Sequence, residues 1–191
     1  MNARKKTLTK QDRYLKASAI EITTRVGCSV SCVYCPQKKL SIEYAKHSNI
    51  LELKMDVFKT CLDKIPPYVH IVFGGMSEPF LNPECIEMIL YAAGKKRGIG
   101  VTTTLVGIKP SDMRIIKNVN FEFFYLHLPG DQKAENIQIN DEYLRLLGEI
   151  LESNISACYI SHGKQLHPKL QRLLKGKRII RPPMISRSGN I

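Results

Sequence analysis

Six short runs rich in β-branched and aromatic residues recur along the chain, each separated from the next by a stretch with helical spacing of apolar residues. The runs are AIEITTRV (19–26), HIVFG (70–74), IGVTTTLV (99–106), FEFFYLHL (121–128), ISACYIS (155–161) and RIIRPPMIS (178–186). Between them Met55, Phe58, Leu62 and Ile65 share one helical face, as do Ile86, Ile89, Leu90 and Ala93, then Leu144, Leu147 and Leu151, then Leu166, Leu170, Leu173 and Leu174. Asn82-Pro83 and Lys109-Pro110-Ser111-Asp112 are helix-start signals, since proline is tolerated in a first turn that Asn, Ser or Asp can cap. Alternation of this kind calls for an α/β fold with a parallel sheet and right-handed crossovers. Six units fall short of the closed eightfold barrel, which needs about 250 residues. An open partial barrel or a doubly wound sheet is left, and in both the functional residues collect past the C-terminal ends of the strands. The non-periodic segment 36–53 reads as a loop over that end.

The chain's 191 residues, 43% hydrophobic and 24% charged, suit one globular domain. No apolar run is long enough for a membrane span, and the basic start MNARKK is followed by polar residues where a signal peptide would be apolar. A cytoplasmic protein with no membrane partner is expected. Six cysteines are too few for a disulfide scaffold, and three lie within eight residues, which favours reduced thiols or metal ligands. The net charge of +12 is concentrated at the ends: residues 1–19 carry +5 and 164–191 carry +8, leaving the body near neutral. Such flanks can attract nucleic acid, an acidic peptide or a phosphorylated ligand, or simply aid solubility. No RNP motif, zinc finger or aromatic-interleaved stripe favours nucleic acid. Residues 1–18 are expected as a basic N-terminal segment and 19–191 as the core domain.

Gly27-Cys28-Ser29-Val30-Ser31-Cys32-Val33-Tyr34-Cys35-Pro36 follows the first strand and carries three thiols at CxxxCxxC spacing. A structural zinc site wants four ligands, and no second CxxC or HxxxH pair completes one. A 4Fe-4S cluster held by three thiolates leaves one iron with open positions for a ligand. An iron–sulfur cluster, zinc with a distant histidine and three incidental thiols all stay open on spacing alone.

The loop resembles the CxxxCxΦC signature of the radical S-adenosylmethionine (SAM) enzymes, with Tyr34 at the aromatic position. Phe73-Gly74-Gly75-Met76-Ser77-Glu78-Pro79, at the end of the second strand, is similar to that family's glycine-rich GGE or GxGEP element. Met76-Ser77 separates Gly75 from Glu78, a departure from the shortest form. The resemblance runs from about Ala19 to Ile191 and implies an open partial (β/α)6 TIM-like barrel with the helices outside. It also implies a 4Fe-4S cluster on Cys28, Cys32 and Cys35, with SAM bound at its open iron through the methionine amino and carboxylate groups. The backbone of this element, at Gly74, Gly75, Met76 and Ser77, would meet the amino group, where glycines permit close approach, and Glu78 would support it. The implied activity is reductive cleavage of SAM to methionine and a 5′-deoxyadenosyl radical, which takes a hydrogen atom from a substrate. An electron donor such as flavodoxin or ferredoxin is implied as a partner.

Other strand ends supply further candidates. Among Thr102, Thr103 and Thr104, Thr104 is placed near the cofactor carboxylate or ribose, although β-propensity alone also explains a threonine run. His127, ending the fourth strand, is placed near ribose or substrate, and Ser161-His162-Gly163 ends the fifth. Arg181 to Asn190 resembles the closing segment of members that carry a further SPASM-type cluster domain, whose cysteines are not found in this sequence. That likeness favours a peptide or small-molecule substrate, acidic or phosphorylated to suit the basic flanks. An RNA substrate and a non-catalytic or truncated cluster-binding module are the alternatives. Cys61, Cys85 and Cys158 read as small apolar residues, and Phe121 to Tyr125 as a strand packed on both faces.

Overall fold

The computed structural model describes residues 18–131 and 134–183, so the basic segment through residue 17 and the closing stretch from Met184 lie outside the described residues. Six strands form one sheet: β1 (Ala19–Ile22), β2 (His70–Phe73), β3 (Ile99–Thr103), β4 (Phe123–His127), β5 (Ala157–Ile160) and β6 (Ile179–Ile180). They pair in sequence order and every pair is parallel. The helices between them are α1 (Gln37–Tyr44), α2 (Met55–Leu62), α3 (Cys85–Gly94), α4 (Pro110–Ile116), α5 (Asp141–Glu152) and α6 (Pro168–Leu173), with a short 3-10 turn at Pro79–Leu81.

Side-chain alternation along the strands divides the two faces of the sheet. Ile71, Phe73, Ile99, Val101, Phe124 and Leu126 are fully buried in one core with Phe58 and Leu62 of α2, Met88 and Ile89 of α3, Met113 and Ile116 of α4, and Leu147 and Ile150 of α5. The apolar helical faces in the sequence meet the sheet except at two positions: Leu90 and Leu173 are exposed, and α3 is rotated to bury Cys85, Met88, Ile89 and Ala92. On the opposite face Gly100 stands beside Phe123 in register. A Cβ at Gly100 would lie 2.1 Å from the Phe123 ring, so the glycine makes room for the phenyl group. Phe123, Tyr125 and His127 thus point away from the helices, and the aromatic run serves both faces.

A single cavity touches Glu21 of β1, residues at the ends of β2 to β5, and Pro182 and Pro183 just past β6. Laid flat at about 4.8 Å per strand, β1 and β6 would stand roughly 24 Å apart. One cavity bordered by both edges requires the sheet to curl around it, as an open partial barrel does.

The segment 36–53 departs from the loop expected there, because residues 37–44 are helical. Gln37 is the one buried residue of α1, so the helix has no apolar face and no periodicity to display. The chain then returns along the end of β1, with Val26 N donating to Leu51 O at 2.8 Å and Leu53 N to Thr24 O at 2.9 Å. Cys61 is exposed rather than packed, while Cys85 is buried and Cys158 half-buried. Asn82 is 2% exposed and does more than mark a helix start. Its amide donates to Thr24 O at 2.8 Å and Leu53 O at 2.9 Å, and its oxygen accepts from Glu84 N at 2.8 Å.

Candidate active site

The cavity at the C-terminal ends of the strands measures about 410 Å³, in the range of small-molecule sites. Cys28, Cys32 and Cys35 all border it, half-buried and outside any disulfide. Their loop leaves β1 through Gly27, whose φ of +95° favours glycine. Val30 anchors it at 1% exposure. A strand-like clamp from the segment between β4 and α5 holds its outer side: Asn136 N donates to Val30 O at 2.7 Å, Val33 N to Ala134 O at 2.9 Å and the Asn136 side chain to Ser29 O at 3.2 Å. The Tyr34 hydroxyl donates to Glu135 Oε1 at 3.2 Å, and the Tyr34 ring lies 4.5 Å from that of His162. His162 in turn lies 5.7 Å from His127. Burial pushes the Cys32 thiol up to about 12 against the opposing pull of its hydrogen bond to Tyr34. Among the described residues, no three His, Cys, Asp or Glu side chains converge on a point where one metal ion would sit.

The end of β2 is cross-linked to this loop. Gly75 has φ +77°, and a Cβ there would lie 2.3 Å from Thr23 Oγ1, so both backbone and space demand glycine. The two residues that separate it from Glu78 are occupied: Met76 N donates to Thr23 Oγ1 at 3.2 Å, and the Ser77 hydroxyl to Gly27 O at 3.1 Å. Gly74 packs its Cα side against Thr102, where a Cβ would come within 3.2 Å.

Glu78 is 4% exposed and accepts four hydrogen bonds: from Thr103 Oγ1 at 2.7 Å, Thr104 N at 2.6 Å, Thr104 Oγ1 at 2.6 Å and Phe80 N at 3.4 Å. Burial still raises its carboxyl above the ordinary range, the Thr104, Thr103 and Phe80 donors working against it. The carboxylate fastens the β2 end to the β3 end, and its lone-pair sites are filled from within the protein. Thr104 directs its hydroxyl proton to Glu78, so toward the cavity it has only acceptor capacity. Gly74, Gly75, Met76, Ser77, Thr104, Tyr34 and His127 all border the same space as the three thiols.

Three participants escaped the sequence reading. Glu135 carries no motif and meets Tyr34 across 101 positions. Tyr125 was masked by its aromatic neighbours, though strand alternation from His127 points to it. Gln37 sat in an apparent loop.

The sequence matches the Radical SAM superfamily over residues 22–164, three quarters of its length. The chain belongs to the radical SAM superfamily. Members of this family of enzymes use a 4Fe-4S cluster and SAM. Among relatives of this radical SAM chain is a probable dual-specificity RNA methyltransferase RlmN of Picosynechococcus sp., 27% identical over 128 residues, which cover 64% of this chain and 36% of that protein. The dual-specificity RNA methyltransferase RlmN of Vesicomyosocius okutanii is 28% identical over 157 residues, covering 75% and 42%. The chain thus spans about two fifths or less of the length of these curated relatives. Among solved structures, BtrN in complex with AdoMet and 2-DOIA superposes with a TM-score of 0.52 at 14% identity, covering 76% of this chain and 57% of that one, a likeness of fold. Among the described residues no helix is long and apolar enough to cross a membrane.

Proposed function

We propose that this chain carries the catalytic core of a radical SAM enzyme that generates a 5′-deoxyadenosyl radical and takes a hydrogen atom from a peptide or small-molecule substrate. The observation that carries the reading is the meeting of three free thiols, the Gly74–Glu78 element and a strand-end cavity in one place. The donor set fits the family's cluster. Cys28, Cys32 and Cys35 border one space without converging on a single-ion point, and a four-iron cluster presents a different iron to each thiolate.

When bound, cluster and SAM supply one-electron cleavage of the C5′–S bond. The protein's own part is binding and orientation. Glu78 places a buried carboxylate behind the β2 end, where it attracts the methionine ammonium without touching it, since its four acceptor sites are filled by Thr103, Thr104 and Phe80. Thr104 can accept from an ammonium or a ribose hydroxyl but cannot donate to a carboxylate. Tyr34, His162 and His127 form a row of rings along one wall of the cavity. A flavodoxin- or ferredoxin-type electron donor and a cytoplasmic setting belong to the same reading, as does the division into a basic segment at 1–18 and the core at 19–191.

An RNA substrate is the second reading, favoured by the RNA methyltransferase relatives and the basic flanks. Anaerobic reconstitution with iron and sulfide, then dithionite and SAM, should yield 5′-deoxyadenosine. A fully loaded cluster without that product would leave only a binding module. RNA binding that falls steeply with salt and raises deoxyadenosine output would shift the substrate assignment to RNA.

A further inference from the structure

Gln37 opens α1 two residues past Cys35, and at 5% exposure it borders the cavity. Both ends of its carboxamide, Oε1 and Nε2, are shut off from solvent with no hydrogen-bond partner among the described residues. A buried amide left unpaired is unfavourable, and native folds rarely keep one without a reason. A carboxamide with donor and acceptor both idle is complementary to a ligand that presents a donor and an acceptor side by side.

We infer that Gln37 reads the base edge of the SAM adenine, so that α1 forms a wall of the nucleoside pocket. This rests on the function proposed above. The methionine carboxylate offers only acceptors and the ammonium only donors, as the cluster sulfides offer only acceptors, and each would leave half of the amide unmatched. Ribose hydroxyls can do both, but they project from a puckered ring in diverging directions. The adenine edge places an amino donor and a ring-nitrogen acceptor in one plane, the pattern a planar glutamine amide pairs with through two hydrogen bonds. The position of Gln37 beside the cysteine loop also explains a helix with no apolar face: α1 presents one side chain inward, and that side chain is polar.

The test reads binding, with no turnover. Cluster-loaded protein in its oxidised state is dialysed anaerobically against S-adenosylhomocysteine, its analogue lacking the 6-amino group, and its 2′-deoxy analogue. In the unsubstituted protein, loss of the 6-amino group should weaken binding about tenfold. Gln37→Leu should weaken S-adenosylhomocysteine binding by a similar factor, with no further loss on removing the 6-amino group, while the 2′-deoxy change costs the same in both proteins. The assignment is overturned if Gln37→Leu binds all three ligands as the parent does, if its loss is coupled to the 2′-hydroxyl instead, or if the unsubstituted protein ignores the 6-amino group. That last comparison needs no variant, so it stands even if Gln37→Leu fails to load iron. A parent protein that makes 5′-deoxyadenosine but shows no 6-amino dependence removes Gln37 alone. One that binds no S-adenosylhomocysteine removes the proposed function with it.

Discussion

The two halves of the cavity mouth are built differently. At the β1 to β3 ends, side-chain hydrogen bonds tie one strand end to the next: Met76 to Thr23, Ser77 to Gly27, Thr24 to Pro79, and Thr103 and Thr104 to Glu78. At the β4 to β6 ends, the cavity is lined by the rings of Tyr125, His127 and His162, with Ile160 and two prolines, and hydrogen bonds between strand ends lie behind that lining: Asp131 N donates to Gln165 O at 3.0 Å, His167 N to Pro129 O at 3.1 Å and Gln165 N to Asp131 Oδ1 at 3.3 Å. Gly130 and Gly163 come so close there that a Cβ on Gly130 would lie 2.7 Å from Gly163 Cα. Directional bonds fix atoms to a fraction of an ångström, whereas ring and aliphatic contacts fix shape. On the function proposed above, the first half would hold the cofactor and the second would meet the substrate.

The largest expected difference between the halves is total. Cys32→Ala should abolish cluster loading, read as loss of iron, sulfide and visible absorption after anaerobic reconstitution. Retained iron and absorption would break the ligand assignment and with it the reason for a rigid first half.

Gly75→Ala comes next. It forces an L-residue into φ +77° and sets a methyl 2.3 Å from Thr23 Oγ1, so strain and overpacking together should cost about 2–4 kcal/mol in denaturant unfolding. Gly27→Ala shares the positive φ but meets nothing within 4 Å. It should cost only the conformational part, about 1–2 kcal/mol. Equal losses would mean that the Thr23 contact yields easily and the lattice is softer than its hydrogen bonds suggest.

Much of this was legible in the sequence for identifiable reasons. The βα order, the outward core and the thiol loop follow from periodicity and spacing, which are local properties. Gly75 and Glu78 were legible as a motif, yet the partners of Glu78 were not, because a carboxylate at a strand end gives no sign of which neighbouring strand will cap it. Glu135 was hidden for the same reason, its link to Tyr34 being a product of the β4 crossover. Helix α1 was invisible because its residues are solvent-facing apart from Gln37, and an exposed helix leaves no apolar stripe to read.

Glu78→Gln probes the charge in the first half. Burial raises the folded pKa of Glu78 above the ordinary value of 4.5, so its favourable contribution is complete below 4.5 and is lost as pH climbs through the raised value. The unfolding free energy of the parent protein, relative to Glu78→Gln, should therefore fall over that window and level off above it. A difference that rises with pH instead would mean that the four donors outweigh burial.

The smallest effects come from a pair of near-isosteric changes that set the two halves directly against each other. Thr104→Val keeps the volume of a residue 9% exposed but removes a donor from Glu78, leaving a buried carboxylate oxygen with one bond fewer, at a cost of about 1–3 kcal/mol. Ile160→Val removes one methylene from a half-buried wall residue and should cost about 1 kcal/mol or less. Cofactor handling should follow the same order: S-adenosylhomocysteine affinity should drop in Thr104→Val and hold in Ile160→Val, which instead enlarges the cavity on the side assigned to substrate. If Ile160→Val proved as damaging as Thr104→Val, directional bonding could not be what distinguishes the halves, and the division between a fixed cofactor side and an adaptable substrate side would fail.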